Sequence, residues 1–381
     1  MSDRRALGVV FAGGGTGGHI QPNLAVAEEL ARLMPGEVCG VFVTSDRPID
    51  ANVLKDETID GFDFSVAVSP AKPLAMRPRA LARFVMSWGG SVRVGRAAIG
   101  ELKARCEHVV VVSTGGFVSP GAAQAARAER VPSVLVNLDA VPGKANRLMQ
   151  RWATKQLSSA PTDDSRLVRI PPIVRRRMHE LPSAPEARKS FGLDADAKTL
   201  LVTGGSQGAS TVNTFVVRAL ESLKEDTDVN DWQILHQCGS GAEQELQREY
   251  ERLGIRAGVH AYIERMDHAF AASDAAVTRG GAGAMSDVWA TKTPALVLPY
   301  PYHKDEHQRL NAKELEDAGG VSVGTDMIDA SENLRVNLGG LRSLLSDETR
   351  ARMSVAIEKL GPADGAAAVA RCVLGLAGLE T

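Results

Sequence analysis

The chain has 381 residues, more than one ordinary hydrophobic core supports, so two domains of typical size are expected. A formal net charge of -2 offers no global electrostatic case for nucleic acid, and Cys39, Cys106, Cys238 and Cys372 are too scattered for a metal or redox motif, reading instead as reduced thiols. Met1 to Arg5 passes straight into an apolar run and no segment reaches the length of a membrane span, so a cytoplasmic protein with at most peripheral membrane contact is expected.

The first element is the β-type run ending in Val9-Val10-Phe11-Ala12, which breaks into Gly13-Gly14-Gly15-Thr16-Gly17-Gly18-His19 and resumes as a helix. A strand, a glycine loop and a helix start form an anion-binding unit, because residues without a Cβ can turn tightly and aim successive backbone N–H groups at a phosphate. A bare turn is the alternative, but five glycines in six residues weaken a helix start for no structural gain. His19 opens the helix beside whatever the loop holds. Pro22 to Met34 has helical spacing with Pro22 near the first turn, and Val38 to Thr44 reads as a second strand.

Lys72 to Trp88 follows, with Lys72, Arg77, Arg79 and Arg83 interleaved with Leu81, Phe84 and Trp88. The pattern suits a segment resting on an anionic lipid surface, but taken alone it fits better an ordinary amphipathic helix whose arginines are solvated. His108 to Ser113 then runs into Thr114-Gly115-Gly116-Phe117-Val118-Ser119 and an alanine-rich helix, and Val131 to Leu138 gives another strand. Alternation of this kind builds a parallel sheet that collects ligands at its carboxyl edge.

Pro161 to Pro185, rich in proline and arginine, reads as a linker. The plan then repeats. Thr199 to Thr203 leads into Gly204-Gly205-Ser206-Gln207-Gly208-Ala209 and a helix over Val212 to Leu220. Further strands are expected at Ile234 to Gln237, Val259 to Ile263, Ala275 to Thr278 and Ala295 to Leu298. The result is an α/β chain of two Rossmann-like domains whose strand ends leave a cleft. Arg279-Gly280-Gly281-Ala282-Gly283-Ala284-Met285-Ser286-Asp287 is another strand-to-helix junction able to hold a phosphate, with Asp287 placed for a ribose diol. Tyr300 to Ala312 presents His307, Gln308 and Asn311 near a helix start, suited to sugar hydroxyls or to a capped surface helix.

Four of these stretches together resemble one family in order and spacing: the Gly-Gly-x-Gly-Gly-His opening, Thr114 to Ser119, Gly204 to Ala209, and His303-Lys304-Asp305-x-His307-Gln308-x-x-Asn311-Ala312. The family is the GT-B UDP-N-acetylglucosamine transferase of peptidoglycan synthesis, which converts lipid I to lipid II. The resemblance spans nearly the whole chain. It implies domains over residues 1–174 and 175–362, with a C-terminal helix near 363–381 packing back on the first.

The resemblance also implies roles. Ser206 would contact the UDP-N-acetylglucosamine diphosphate, Ile263 (through its backbone) and Met266 would flank the uracil, and Ala282, Gly283, Ala284, Met285, Ser286 and Asp287 would cover phosphate and ribose. Gln308 would take sugar hydroxyls and Arg175 the donor from the linker side, with Thr16, Gly17 and Gly18 closing on it. Gly14, Gly15, His19, Gly115 and Gly116 would receive the lipid acceptor's diphosphate. Lys72, Arg77, Arg79, Leu81, Arg83, Phe84 and Trp88 would meet the anionic inner leaflet, on the cytoplasmic side. Other cell-wall synthesis proteins would be further partners, and neither cofactor nor metal is implied.

Two positions depart from the family pattern: where it reads His-Glu-Gln-Asn this chain has Val136-Asn137-Leu138-Asp139, and its ribose-binding Glu is Asp287. Displacing UDP by a 4-hydroxyl inverts the anomeric centre and needs a base and stabilisation of the leaving diphosphate. His19 is the expected base, with Asp139 the rival. Gly13-x-Gly15-x-x-Gly18 with Asp46 also fits a dinucleotide site, making a nicotinamide-dependent oxidoreductase one alternative and another lipid-directed glycosyltransferase a second.

Overall fold

The computed structural model describes residues 4–15, 17–73, 78–205, 208–225, 229, 231–302 and 304–379. It divides into two compact units, Met1–Arg176 with Asp364–Thr381, and Arg177–Ala363.

In the first unit the described strands are β1 (Arg5–Gly13), β2 (Val38–Thr44), β3 (Phe62–Val68), β4 (Cys106–Gly115), β5 (Ser133–Asn137), β6 (Lys155–Ser158) and β7 (Val168–Arg169). They form one sheet in the order β3-β2-β1-β4-β5-β6-β7, and every pair is parallel. Parallel strands are covered on both faces, which is why β1 and β2 are apolar without alternation. Phe11 stacks on Phe42 at 4.9 Å between centroids inside this core. Truncating Phe11 to alanine costs on the order of 3–5 kcal/mol. β3 alternates because it is an edge strand, with Val66 and Val68 turned outward.

Strand order reverses direction between β1 and β4, and the two glycine loops of the first half follow these two strands. The topological switch point therefore coincides with the stretches richest in free backbone N–H groups. The helix after β1 runs Gly17–Leu33, so it starts well before the expected Pro22. Pro22 lies inside it, and the Gly18 carbonyl cannot receive the usual bond from residue 22. The helix Pro78–Arg105, about 42 Å long by its residue count, buries Ala98, Ile99 and Leu102 at its C-terminal end and exposes Val85 and Met86 near its start. The C-terminal helix Gly365–Ala377 belongs to this unit, packing on Gly17–Leu33 and β4 through Val369, Ala370, Val373 and Leu374.

The second unit carries β8 (Lys198–Thr203), β9 (Trp232–Gln237), β10 (Ala257–His260), β11 (Ala275–Thr278), β12 (Ala295–Val297) and β13 (Val321–Val323). Their order is β10-β9-β8-β11-β12-β13, again all parallel. The reversal falls between β8 and β11. Loop 204–209 follows the first of these strands and loop 279–281 the second.

Candidate active site

In the first unit a cavity of about 330 Å³ opens at the switch point, lined by His19, Thr114, Gly116, Phe117, Asp139, Lys144 and Asn146, with Phe84, Pro120, Leu138 and Leu148 among its apolar walls. His19 is the third residue of its helix, and Thr114 Oγ1 donates to its carbonyl at 2.7 Å, tying the two glycine loops together. Gly116 has φ +76°, and a Cβ there would stand 2.3 Å from the Gly14 carbonyl oxygen, so only glycine allows the loops to approach this closely. Burial pushes the His19 imidazole below its ordinary value, against the pull of the Asp139 and Asp50 carboxylates. A neutral ring is the form that accepts a proton.

Asp139 follows β5, and a buried amide chain fixes the turn that carries it. Asn137 Nδ2 donates to the Asp139 carbonyl at 2.7 Å and to Ser158 Oγ at 3.0 Å, and Asn146 Nδ2 donates to Asn137 Oδ1 at 3.0 Å. Asn146 also walls the cavity. Phe84 brings the start of the long helix to the same cavity, and its ring lies 5.4 Å from Trp88, which meets Trp152 at 6.4 Å. Arg79 and Arg83 are exposed, while Lys72 is paired with Asp46. Asp46 is thus engaged by a lysine at the position where a dinucleotide ribose was the alternative.

In the second unit Gln237, buried at the end of β9, holds the start of the loop after β8. Its Nε2 donates to Thr203 Oγ1 at 3.1 Å and to the Gly205 carbonyl at 3.0 Å, while its Oε1 accepts from Ile263 N at 2.8 Å. The Ile263 N–H is therefore spent, so a base read by its backbone falls to the carbonyl. Gly208 has φ +73° and packs so tightly on the Cys238 carbonyl that a Cβ would stand 2.1 Å from its oxygen. The helix Ala282–Thr291 begins with Gly281 as its N-cap, leaving Ala282, Gly283 and Ala284 in the first turn with outward N–H groups. Met285 is buried and its N–H is committed to the Gly281 carbonyl at 3.0 Å, so it supports the turn from behind. Burial pushes the Asp287 carboxyl up to about 7, with Arg177 opposing and Asp267 adding to the shift. Gln308 Oε1 accepts from Tyr300 N at 2.9 Å, and Asn311 Nδ2 donates to the Gly280 carbonyl at 3.0 Å.

Arg279, in the same loop, is structural. It is buried, pairs with Asp326 at 2.7 Å and donates to the Leu298 carbonyl at 2.8 Å. Arg175 is also committed, to Glu28 at 2.7 Å and Glu57 at 2.9 Å, both in its own unit, and its side chain is 8 % exposed. Burial opposes its charge, but the two carboxylates override this and raise its pKa. Thr16, Arg77 and Ser206 lie outside the described residues, as does the side chain of Leu81. Sequence reasoning missed Arg47, Asp50, Phe117, Asn146 and Gln237. Arg47-Pro48-Ile49-Asp50 carried a usable signal, a proline and an acid opening a short helix after a strand.

Comparison with known proteins decides the family. The glycosyltransferase family 28 N-terminal domain matches residues 9–158 and the family 28 C-terminal domain residues 199–360. A Nocardioides UDP-N-acetylglucosamine–N-acetylmuramyl-(pentapeptide) pyrophosphoryl-undecaprenol N-acetylglucosamine transferase is 35 % identical over 97 % of this chain and 98 % of its own. The chain belongs to glycosyltransferase family 28. Its relative of the same description from Mycolicibacterium smegmatis is 33 % identical, covering 98 % of this chain and 95 % of that one. The crystal structure of Acinetobacter baumannii MurG shares the fold at a TM-score of 0.72 with 22 % identity, covering 97 % of this chain and 99 % of that one. Two Rossmann-like units in a GT-B family fit the expected α/β class, and membership in a glycosyltransferase family removes the oxidoreductase alternative.

Proposed function

We propose that the chain transfers N-acetylglucosamine from UDP-N-acetylglucosamine to the 4-hydroxyl of the N-acetylmuramyl unit of lipid I, inverting the anomeric centre and giving lipid II for peptidoglycan synthesis. The relatives' shared description names this donor and acceptor. The observation that carries the reading for this chain is the cavity that joins His19 and Asp139 to Phe84, because it links a proton acceptor to a basic and apolar helix. The helix start exposes Val85 and Met86 beside Arg79 and Arg83, and among the described residues no helix is long and apolar enough to cross a membrane. Contact with the anionic inner leaflet on the cytoplasmic side would present a lipid-linked acceptor to that cavity.

In this reading the first unit, Met1–Arg176 with the C-terminal helix, serves the acceptor, and the second, Arg177–Ala363, serves the donor. His19 takes the proton of the attacking hydroxyl as the oxygen bonds to the anomeric carbon, and the bond to the β-phosphate breaks. The outward N–H groups at Ala282 to Ala284 stabilise the departing UDP. Asp287 accepts from the ribose hydroxyls, Met266 and the Ile263 carbonyl flank the base, and Gln308 offers its amide nitrogen to the sugar. Arg175 keeps its glutamates rather than the donor. The test is incubation with UDP-N-acetylglucosamine and a short-chain lipid I analogue followed by mass spectrometry. A product with one added N-acetylhexosamine supports the reading, and hydrolysis or no product overturns it.

A further inference from the structure

The first glycine loop is gripped from outside by the short helix Pro48–Leu54 and the residue before it. Asp50, with no exposed surface, accepts three hydrogen bonds on one oxygen: from Gly15 N at 2.7 Å, Ser45 N at 2.9 Å and Ser45 Oγ at 2.5 Å. Arg47 Nη1 donates to the Gly15 carbonyl at 2.8 Å. Both backbone groups of Gly15 are therefore held by side chains three residues apart. The clamp closes on the far side as well, because the Arg47 guanidinium lies 5.1 Å over the Phe117 ring and that ring fills the space a Gly15 Cβ would need. Phe117 lines the cavity that holds His19.

We infer that Arg47 and Asp50 are positioning residues for the transfer reaction, fixing the turn at Gly15 so that His19, four residues on, meets the acceptor in one orientation. The inference rests on the transferase reading above. Glycine-rich turns lose more conformational freedom on ordering than other segments, so a loop of this composition needs an external clamp to be pre-formed. Asp50 has a second effect. Its carboxylate and that of Asp139 face His19, with Lys144 on the same cavity wall, and both carboxylates favour the imidazolium formed when the ring takes a proton. The Gly15 N–H is engaged by Asp50, so an acceptor diphosphate at this loop is left to the helix-start N–H groups of Gly17 and Gly18.

The test uses the full chain with Asp50→Asn, Asp50→Glu and Arg47→Gln. In Asp50→Asn the His19 titration, followed by NMR and assigned with His19→Gln, moves to lower pH. The acid limb of kcat/KM moves with it, kcat falls about tenfold by loss of orientation, and the donor KM stays within twofold. Asp50→Glu, which keeps the charge, returns the titration toward the native position. Arg47→Gln, at an exposed residue, accelerates amide exchange at Gly15 and lowers kcat while the donor KM holds. An unmoved His19 titration in a folded Asp50→Asn overturns the electrostatic part, and unchanged exchange and kcat in Arg47→Gln overturn the clamp. If Asp50→Asn does not fold, Arg47→Gln decides alone. Should the native protein transfer no sugar, the functional reading falls while the titration and exchange data still judge the clamp.

Discussion

Asp287 is the residue whose replacement should stabilise the protein while harming its proposed donor site. Its carboxyl is raised from 3.8 to about 7 by burial, with Arg177 opposing and Asp267 adding. A carboxyl raised in the folded state keeps a proton that the unfolded chain releases, so its contribution to stability is intact below pH 3.8 and is lost as pH rises through 7. The gap of about three units corresponds to roughly 4 kcal/mol at pH 8 as an upper bound, and partial solvent access reduces this to about 2 kcal/mol. Asp287→Asn removes the ionisation, and in a unit of this size 2 kcal/mol is about 4–8 °C. Scanning calorimetry should therefore show the second unit melting higher in Asp287→Asn than in the native protein at pH 8, with the gain vanishing near pH 4. UDP should bind the variant more weakly, and UDP binding to the native protein near pH 6.5 should release a proton, since ribose hydroxyls favour the charged carboxylate. A variant that melts lower at pH 8, or that gains equally at both pH values, refutes the reasoning.

Three further outcomes are expected. His19→Gln should lower kcat by about 10²–10⁴ while UDP affinity, by calorimetry, changes less than twofold; turnover within threefold of native would remove His19 as the base. Val85→Glu with Met86→Glu should reduce co-sedimentation with anionic vesicles and leave UDP binding unaltered, because both residues are exposed at the start of the long helix. Arg175→Ala should remove the guanidinium that Glu28 and Glu57 share and cost about 1.5–3 kcal/mol, seen as a lower melting temperature of the first unit; a large loss of UDP affinity with unchanged stability would instead return Arg175 to the donor.

The loops were legible because their chemistry is local. A β-type run, glycines with no side chain to bury and a helix start occupy one short stretch, so the loops after β1, β4, β8 and β11 could be read directly. β7, with two residues, and the exposed edge strand β3 lack that signal. The ion pairs of Arg175 were not legible for a different reason. Its partners Glu28 and Glu57 lie 147 and 118 positions away, and no spacing rule connects them. The same holds for Gln237, which joins Thr203, Gly205 and Ile263.

Gln237 shares a function with Asp50 and Asn311. Three of the four glycine loops, costly to order on their own, are each pinned by a polar side chain from another element. The pins differ in charge. Gln237 and Asn311 are neutral amides holding Gly205 and Gly280, whereas Asp50 holds Gly15 with a carboxylate. A neutral pin leaves the field of a helix start available to a diphosphate, while a buried carboxylate opposes an anion and favours a nearby cation. The nucleotide diphosphate is therefore better served by the loops of the second unit. The first loop is better suited to stabilising the imidazolium that would form if His19 takes a proton as proposed.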